Sequence, residues 1–433
     1  MPLFDKVLSP LHRLRPVGRG DAAENAPDAV APLETVIGTA PRPAPRPLPL
    51  ERALVIPCPD PTAEDRARDL IQNAALRLAR QEDWTTLAAQ LRTYDSTREK
   101  TGGGMPVADL MAFGARADVV AAAEHALISG RPDLDAPLLE GIEALEIVLA
   151  EADNDPMIAA VVASAHVDIG WAWRGTGWAI EVPRHNREAF AAHFERAAEI
   201  VEGLDPVALS SPLIASVKCA VSGGLEADVE TIVADYERWI TLDVRNPRAM
   251  RSMGKHLLPR FSGSYARLET EARRIAALTQ GAWGAGAYCW TMMDAIAMDT
   301  EACARVDLDL FVEGLGDILD HLRDQHVVNM LAAYCANTMG DAPMGHDEAD
   351  YARARIADAA GWIVRDHLRE LHSITWAQAS RGLDQTVGVR CRDRFAASGY
   401  ADALRYLGDV FRRELAAGQR VIFTENGAQM RAG

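Results

Sequence analysis

The densest gathering of side chains able to do chemistry is His166–Trp178, "HVDIGWAWRGTGW", with a histidine, an aspartate, an arginine and three tryptophans. His166, Asp168 and Arg174 are residue types that would build an enzyme or small-ligand pocket. Their spacing opposes it. Residues two apart do not share a helix face, so His166 and Asp168 converge only if the helix has unwound by Asp168. Helical phasing from Pro156 instead puts Ile158, Val162, Ala165, Ile169, Ala172 and Trp173 on one face. His166 falls on the same side between Val162 and Ile169, as a hydrogen-bonded residue at the edge of the core. Trp171 points the other way, to a neighbouring element or a groove. Arg174 is placed to pair with a carbonyl or an acid, or to stack on tryptophan. Gly175 supplies a left-handed helix stop, and Gly177 and Trp178 form the following turn.

Other constellations read as structure. His321 and His326, like His367 and His372, are five apart, about 140° around a helix, and so do not form the chelate of an H-E-x-x-H helix. No metal site is expected. In "DLDLFVEGLGDILDHLRD" the acids Glu313, Asp317, Asp320 and Asp324 follow one face beside His321. Leu308, Phe311, Leu315, Ile318 and Leu319 form the opposite stripe of an amphipathic surface helix. Gly314 and Gly316 within it suggest close helix approach. "PRFSGSY" has the wrong order for a nucleophile elbow and reads as a helix–helix turn, with Pro259 stopping one helix, Gly263 turning the chain and Ser264 capping the next. "WGAGAYCW" lacks the third glycine of a dinucleotide fingerprint, so Gly284 and Gly286 read as contact glycines. The six cysteines contain no C-x-x-C pair and sit mostly in apolar runs, as buried reduced thiols of a cytoplasmic protein would. No catalytic residue and no cofactor emerges.

The elements that must carry these residues are helical. Alanine and leucine dominate, and "QRVIFTENG" near the C-terminus is the clearest strand signal. Residues 1–60 read as a disordered, proline-rich arm. Within it, Leu3, Phe4, Val7, Leu8, Leu11 and Leu14 give residues 2–15 an amphipathic face suited to docking on a partner or a membrane surface. Alternating prolines from Pro41 to Pro49 make a stiff extended spacer. Structure is expected to begin near Pro61, with Asp60 as cap. A helical segment over 61–150 includes a run ending at Gly130 and the "LEGIEALEIVLAEA" helix. Helix starts of the form Asx–Pro recur at Asp155, Asp205 and Asn246, roughly the size of a TPR or HEAT unit apart. They define a repeat core over 151–340, followed by a C-terminal helical segment over 341–433. The expected fold is all-α, an irregular TPR/HEAT-like, α-solenoid-like array of helix pairs.

Composition narrows the partners. The chain has 433 residues, is 48% hydrophobic and carries a formal net charge of −17. Such a charge repels a phosphate backbone, which argues against nucleic acid. No run of about eighteen apolar residues predicts a membrane span, and the first residues lack the apolar core of a secretory signal.

Taken in order, "RGTGW" at Arg174–Trp178 and "LLPRFSGSY" at Leu257–Tyr265 resemble the paired turns of a group of uncharacterised bacterial proteins with TPR-like helical repeats. The resemblance covers roughly residues 153–340. That family more often has tryptophan at the position of Phe261 and tyrosine at that of Trp178. It implies a fold and offers no catalytic residue. The reading that follows is a non-catalytic adaptor or scaffold binding a protein or a basic peptide. Trp171, Trp178 and Arg174, with Tyr265 and Trp283, are the expected contact residues. The alternative is an enzyme or small-ligand binder with a pocket at His166, Asp168 and Arg174.

Overall fold

The computed structural model describes residues 49–128, 132, 140–175, 181–225, 227–261, 263–340, 343–382, 389 and 391–432. The expectations for residues 2–15, for the spacer before Pro49, and for Gly130, Gly177 and Trp178 lie outside the described residues.

The fold is all-α, with one small sheet among the described residues. Its elements are α1 (Leu50–Ala53), β1 (Leu54–Val55), α2 (Ala63–Arg80), α3 (Trp84–Thr97), α4 (Val107–Ala126), α5 (Glu140–Glu151), α6 (Pro156–Arg174), α7 (Arg184–Val201) and α8 (Pro212–Ser222). Then come α9 (Val229–Leu242), α10 (Pro247–His256), α11 (Tyr265–Leu278), α12 (Gln280–Trp283), α13 (Gly286–Met298), α14 (Thr300–Arg305) and α15 (Leu308–His321). α16 (Gln325–Ala333) runs into a π-helical turn at Tyr334–Met339, followed by α17 (Asp347–Ala357), α18 (Ala359–His367), α19 (Ser373–Ala379), α20 (Arg392–Val410) and α21 (Arg412–Ala416). The hairpin β2 (Gln419–Thr424) and β3 (Gly427–Ala432) closes the described chain. No described helix is long and apolar enough to cross a membrane.

Local chemistry sets the helix starts. Asp155 caps α6 by accepting the N–H groups of Met157 and Ile158, with Pro156 in the first turn. Asn246 and Pro247 open α10 in the same way, and Ser264 caps α11. Two expected starts move. α2 is capped by Thr62 in a reciprocal capping box with Asp65, not by Asp60. At Asp205–Pro206 the aspartate caps only a single turn, through Val207 and Ala208. Ser210 then takes φ +49°, and the helix begins at Ser211–Pro212.

Two hydrophobic cores follow. The first packs α2 to α8 around α6, whose residues Met157 to Gly170 are buried on all sides except at Ser164. The second packs α8 to β3 around α13, whose residues Gly286 to Ile296 are buried except at Asp294. A helix apolar all round belongs at the centre of a core. α8 serves both, with Leu213, Ile214 and Val217 facing the first core and Ala215 and Cys219 facing the second. The change of core therefore falls on α8, not at residues 150 or 340.

The described end of the stretch expected to be linker, from Leu50 to Asp60, is structured. β1 pairs in parallel with β2, and β2 antiparallel with β3. Leu54 is fully buried by this pairing, and the Leu371 amide donates to the Pro57 carbonyl. An unpaired β2 edge satisfies its backbone by recruiting this short segment. The close helix approach lies at Gly286 and Gly314, where α13 crosses α15: a Cβ on Gly314 would lie 2.7 Å from the Ala285 carbonyl oxygen. Gly316 faces open space. The acidic stripe is also divided. Asp317 accepts the Ala285 amide, and Asp324 lies beyond α15 as the cap of α16.

Candidate anion-binding cleft

The structure separates the residues that sequence spacing grouped around His166. His166 Nε2 lies 2.9 Å from Glu146, and its Nδ1 lies 3.0 Å from His193 Nδ1. Because a carboxylate only accepts, His166 carries its proton on Nε2, and His193 donates to the bare Nδ1. Burial lowers the pKa of both rings, that of His193 to about 4, aided there by His166. Glu146 is raised by burial, but Arg196 and His166 outweigh this and hold it below its ordinary value. Asp168 points elsewhere and accepts from Arg116 Nε at 2.7 Å, both side chains being nearly buried. Arg174 lies 5.8 Å over the Trp171 ring and donates to the Gly175 carbonyl. His166, Asp168 and Arg174 thus make separate contacts among the described residues, because α6 stays helical through Arg174.

The expected contact residues also divide. Trp171 is half-buried, edge-on to Phe190 and Phe194. Tyr265 is half-buried under Arg305 and faces Asp299. Trp283 is only 3% exposed, with its Nε1 donating to the Val244 carbonyl at 2.6 Å, so it is a packing residue rather than a surface contact. Gly175 ends α6 with φ +67° and ψ −167°, a glycine-only conformation distinct from the left-handed helical one. Pro259 and Gly263 stand in the turn between α10 and α11, where a Cβ on Gly263 would meet the Leu257 carbonyl at 2.1 Å.

The site that sequence reasoning did not find is a cleft of about 290 Å³ between the two cores. α10 builds its floor. Ala249, Met250, Met253 and Gly254 turn inward, and Gly254 lets α10 press on the Thr291 carbonyl of α13. Arg248, Arg251, Ser252 and Lys255, at i, i+3, i+4 and i+7, then project along the cleft. Arg68 of α2 and His326 and Met330 of α16 line it too. α8 and α9 contribute Cys219, Ala220, Tyr236 and Trp239, and α19 contributes Thr375 and Gln378.

Each arginine is held from behind by a carboxylate. Arg251 makes a two-pronged pair with Asp294, at 2.9 and 2.7 Å. Arg68 Nε donates to Glu64 at 2.6 Å, and its Nη2 meets His326 Nε2 at 3.3 Å. Burial, then Arg68, pushes His326 down to about 4, so the ring is neutral and accepts from the guanidinium. Burial raises Glu64, but Arg68, the Thr101 hydroxyl and the Gly103 amide outweigh it and lower it. Arg248 Nη1 donates to Asp109 of α4, and its guanidinium lies 6.0 Å from the centre of the Trp239 ring. Burial raises Asp109, and Arg248 opposes that shift. Among the described residues nothing accepts from Arg248 Nε or Nη2, so that edge of the fork is left to the cleft. Planar oxyanions match this edge.

The signal for this site was present in the sequence as the Arg248–Arg251–Lys255 stripe, a cationic face in an acidic chain. Among the described residues no group of three or more histidine, cysteine, aspartate or glutamate side chains is placed to hold a metal ion. No family model, curated protein or solved structure significantly matches this chain.

Proposed function

We propose that this protein, an all-α chain with degenerate TPR/HEAT-like helix pairs, is a non-catalytic binding protein that holds a small anionic ligand in the cleft between its cores. One observation carries the reading: Arg248 is fixed before any ligand arrives. Asp109 holds one nitrogen and Trp239 flanks the guanidinium, so the free edge needs little ordering to meet an anion. Ion pairing with Glu64 and Asp294 holds Arg68 and Arg251 in place along the cleft, which suits recognition. The partner chemistry here is set by the local cationic lining and not by the net charge of −17. The cleft sits where two cores meet, a common place for a ligand site.

Calorimetric titration with a panel of small carboxylates, sulfonates and phosphates tests this. Binding by at least one class, weakened roughly tenfold or more by Arg248→Lys, is expected, since hydrogen bonds to charged groups have that worth. Absence of binding across the panel, or binding indifferent to Arg248→Lys, refutes it.

A second reading, an adaptor for a protein or peptide, is supported by half-buried Trp171 with Arg174 above its ring, an anchor pair of the kind found at interfaces. Capture of a defined partner by the full chain and its loss in Trp171→Ala would support it.

A further inference from the structure

One wall of the cleft is neither charged nor apolar. We propose that Thr375 and Gln378 on that wall recognise a hydroxyl of the ligand, so that the cleft takes a hydroxylated small anion, a sugar acid or a polyol phosphate; this rests on the reading of the cleft as the ligand site.

α19 carries this wall. Thr375 and Gln378 stand one helical turn apart on the same face, and both line the cleft. Thr375 is only 8% exposed, yet its hydroxyl has no hydrogen-bond partner among the described residues and is not sealed off from the cleft. The carboxamide of half-buried Gln378 is also free among the described residues. Polar groups this far from solvent are normally hydrogen-bonded. Packing does not call for them, because Trp376 and Ala379 supply the core side of α19.

The other polar side chains of the lining have separate tasks. Ser252 lies against the Tyr236 hydroxyl. Arg251 and Lys255 engage groups of their own and add positive charge to the α10 wall. His326 accepts from Arg68 through Nε2, so its proton sits on Nδ1 and gives the cleft one more neutral donor. Arg248 keeps its free edge for the oxyanion, and a carboxylate or a phosphate fits that edge equally.

Matching donors to acceptors favours an alcohol for the rest of the ligand. A threonine hydroxyl and a carboxamide each donate and accept. An alcohol does both as well and pairs with either, whereas a ketone or an ether only accepts. An alkyl body would leave both α19 groups unpaired in a closed cleft, which weakens binding roughly tenfold or more. Met105, Met330 and Ala220 offer apolar surface to the carbon skeleton. A volume of about 290 Å³ is at the low end for ligand pockets and limits that skeleton to a short polyol or a single sugar ring.

The test titrates the full chain by calorimetry with gluconate and glycerol phosphate, each beside its counterpart without hydroxyls, hexanoate and propyl phosphate, and with neutral glucose. At least one hydroxylated anion should bind roughly tenfold or more tighter than its counterpart, and which one does so distinguishes a sugar acid from a polyol phosphate. Thr375→Val and Gln378→Leu should each shrink that ratio while leaving the counterparts' affinity unchanged, and Thr375→Ser should preserve it. Gln378→Leu, at the less buried position, keeps the proposal testable if Thr375→Val does not fold. Counterparts that bind as tightly as the hydroxylated anions, and remain sensitive to Arg248→Lys, overturn hydroxyl recognition but leave the cleft as an anion site. A hydroxyl preference indifferent to both α19 substitutions overturns it as well. Glucose binding as tightly as gluconate overturns the anion site itself. Failure of every compound overturns both readings.

Discussion

Arg248 and Asp109 stand 139 positions apart and join the two cores through one ion pair, Arg248 on α10 and Asp109 on α4. Lys100 and Asp243 make a second clasp at 2.7 Å, and Arg98 reaches the Leu242 carbonyl beside it. The same contacts that fasten the cores therefore orient the arginine that faces the cleft. Stability and ligand recognition share a residue.

Removing Asp109 should expose that coupling. Its carboxylate is largely buried, so Asp109→Ala leaves Arg248 without its orienting partner. Loss of one member of such a pair costs about 3 kcal/mol. Urea unfolding of Asp109→Ala, Arg248→Ala and the double variant should give a clear interaction energy. Additivity to within about 0.5 kcal/mol would mean the pair does not hold the cores together.

The two glycines in different helices should respond oppositely to alanine. A Cβ on Gly254 would lie 1.8 Å from the Thr291 carbonyl, so Gly254→Ala must push α10 off α13. Overpacking of this kind costs about 1–3 kcal/mol, and it should also weaken ligand binding because α10 carries Arg248. Gly316 meets nothing within 4 Å on α15, so Gly316→Ala should stabilise by about 1 kcal/mol. Thermal unfolding of the two variants distinguishes them, and a shift of the same sign in both would contradict the packing described.

Acid should destabilise the protein through its buried histidines. His193, His256 and His326 are each pushed down from 6.5 to about 4, chiefly by burial, with His166, Lys255 and Arg68 respectively adding to it. Between those values the unfolded chain binds protons that the folded chain refuses, so stability is present above 6.5 and is lost as pH falls toward 4. Asp95 has the opposite sign. Burial raises it from 3.8 to about 6 while it accepts the Leu213 amide, so its share of stability falls as pH rises through that window. Unfolding free energy measured from pH 4 to 7 should become less pH-dependent in His193→Gln and more so in Asp95→Asn. A flat profile in the unmodified protein would contradict these environments.

Trp283 should behave as core. Trp283→Ala removes a buried ring and leaves the Val244 carbonyl without its donor, for about 3–5 kcal/mol. Ligand affinity measured on the folded fraction should stay unchanged, since the ring does not line the cleft. A loss of affinity with little loss of stability would return Trp283 to the contact residues.

The sequence by itself determined what depends on short range. Asx–Pro and serine caps marked the starts of α6, α10 and α11, because a capping oxygen and the N–H it satisfies lie within three residues. Apolar periodicity indicated an all-α chain with buried faces, and "QRVIFTENG" marked β2; of the glycines read as contact positions, Gly286 and Gly314 lie at a close crossing and Gly316 does not. Phasing also placed His166 in a hydrogen-bonded core position. What spacing orients is a face, and it does not say which other face arrives there. Asp168 was bound to point away from His166, but only packing delivered Arg116 to it across 52 positions. Trp283 looked free because its partner, the Val244 carbonyl, lies 39 positions away. The cationic stripe of α10 was written at helical spacing, yet its meaning as a cleft depended on α2, α8, α9, α16 and α19 closing around it. Those elements meet through long-range burial of apolar surface, a non-directional force that leaves no local mark on the residues it brings together.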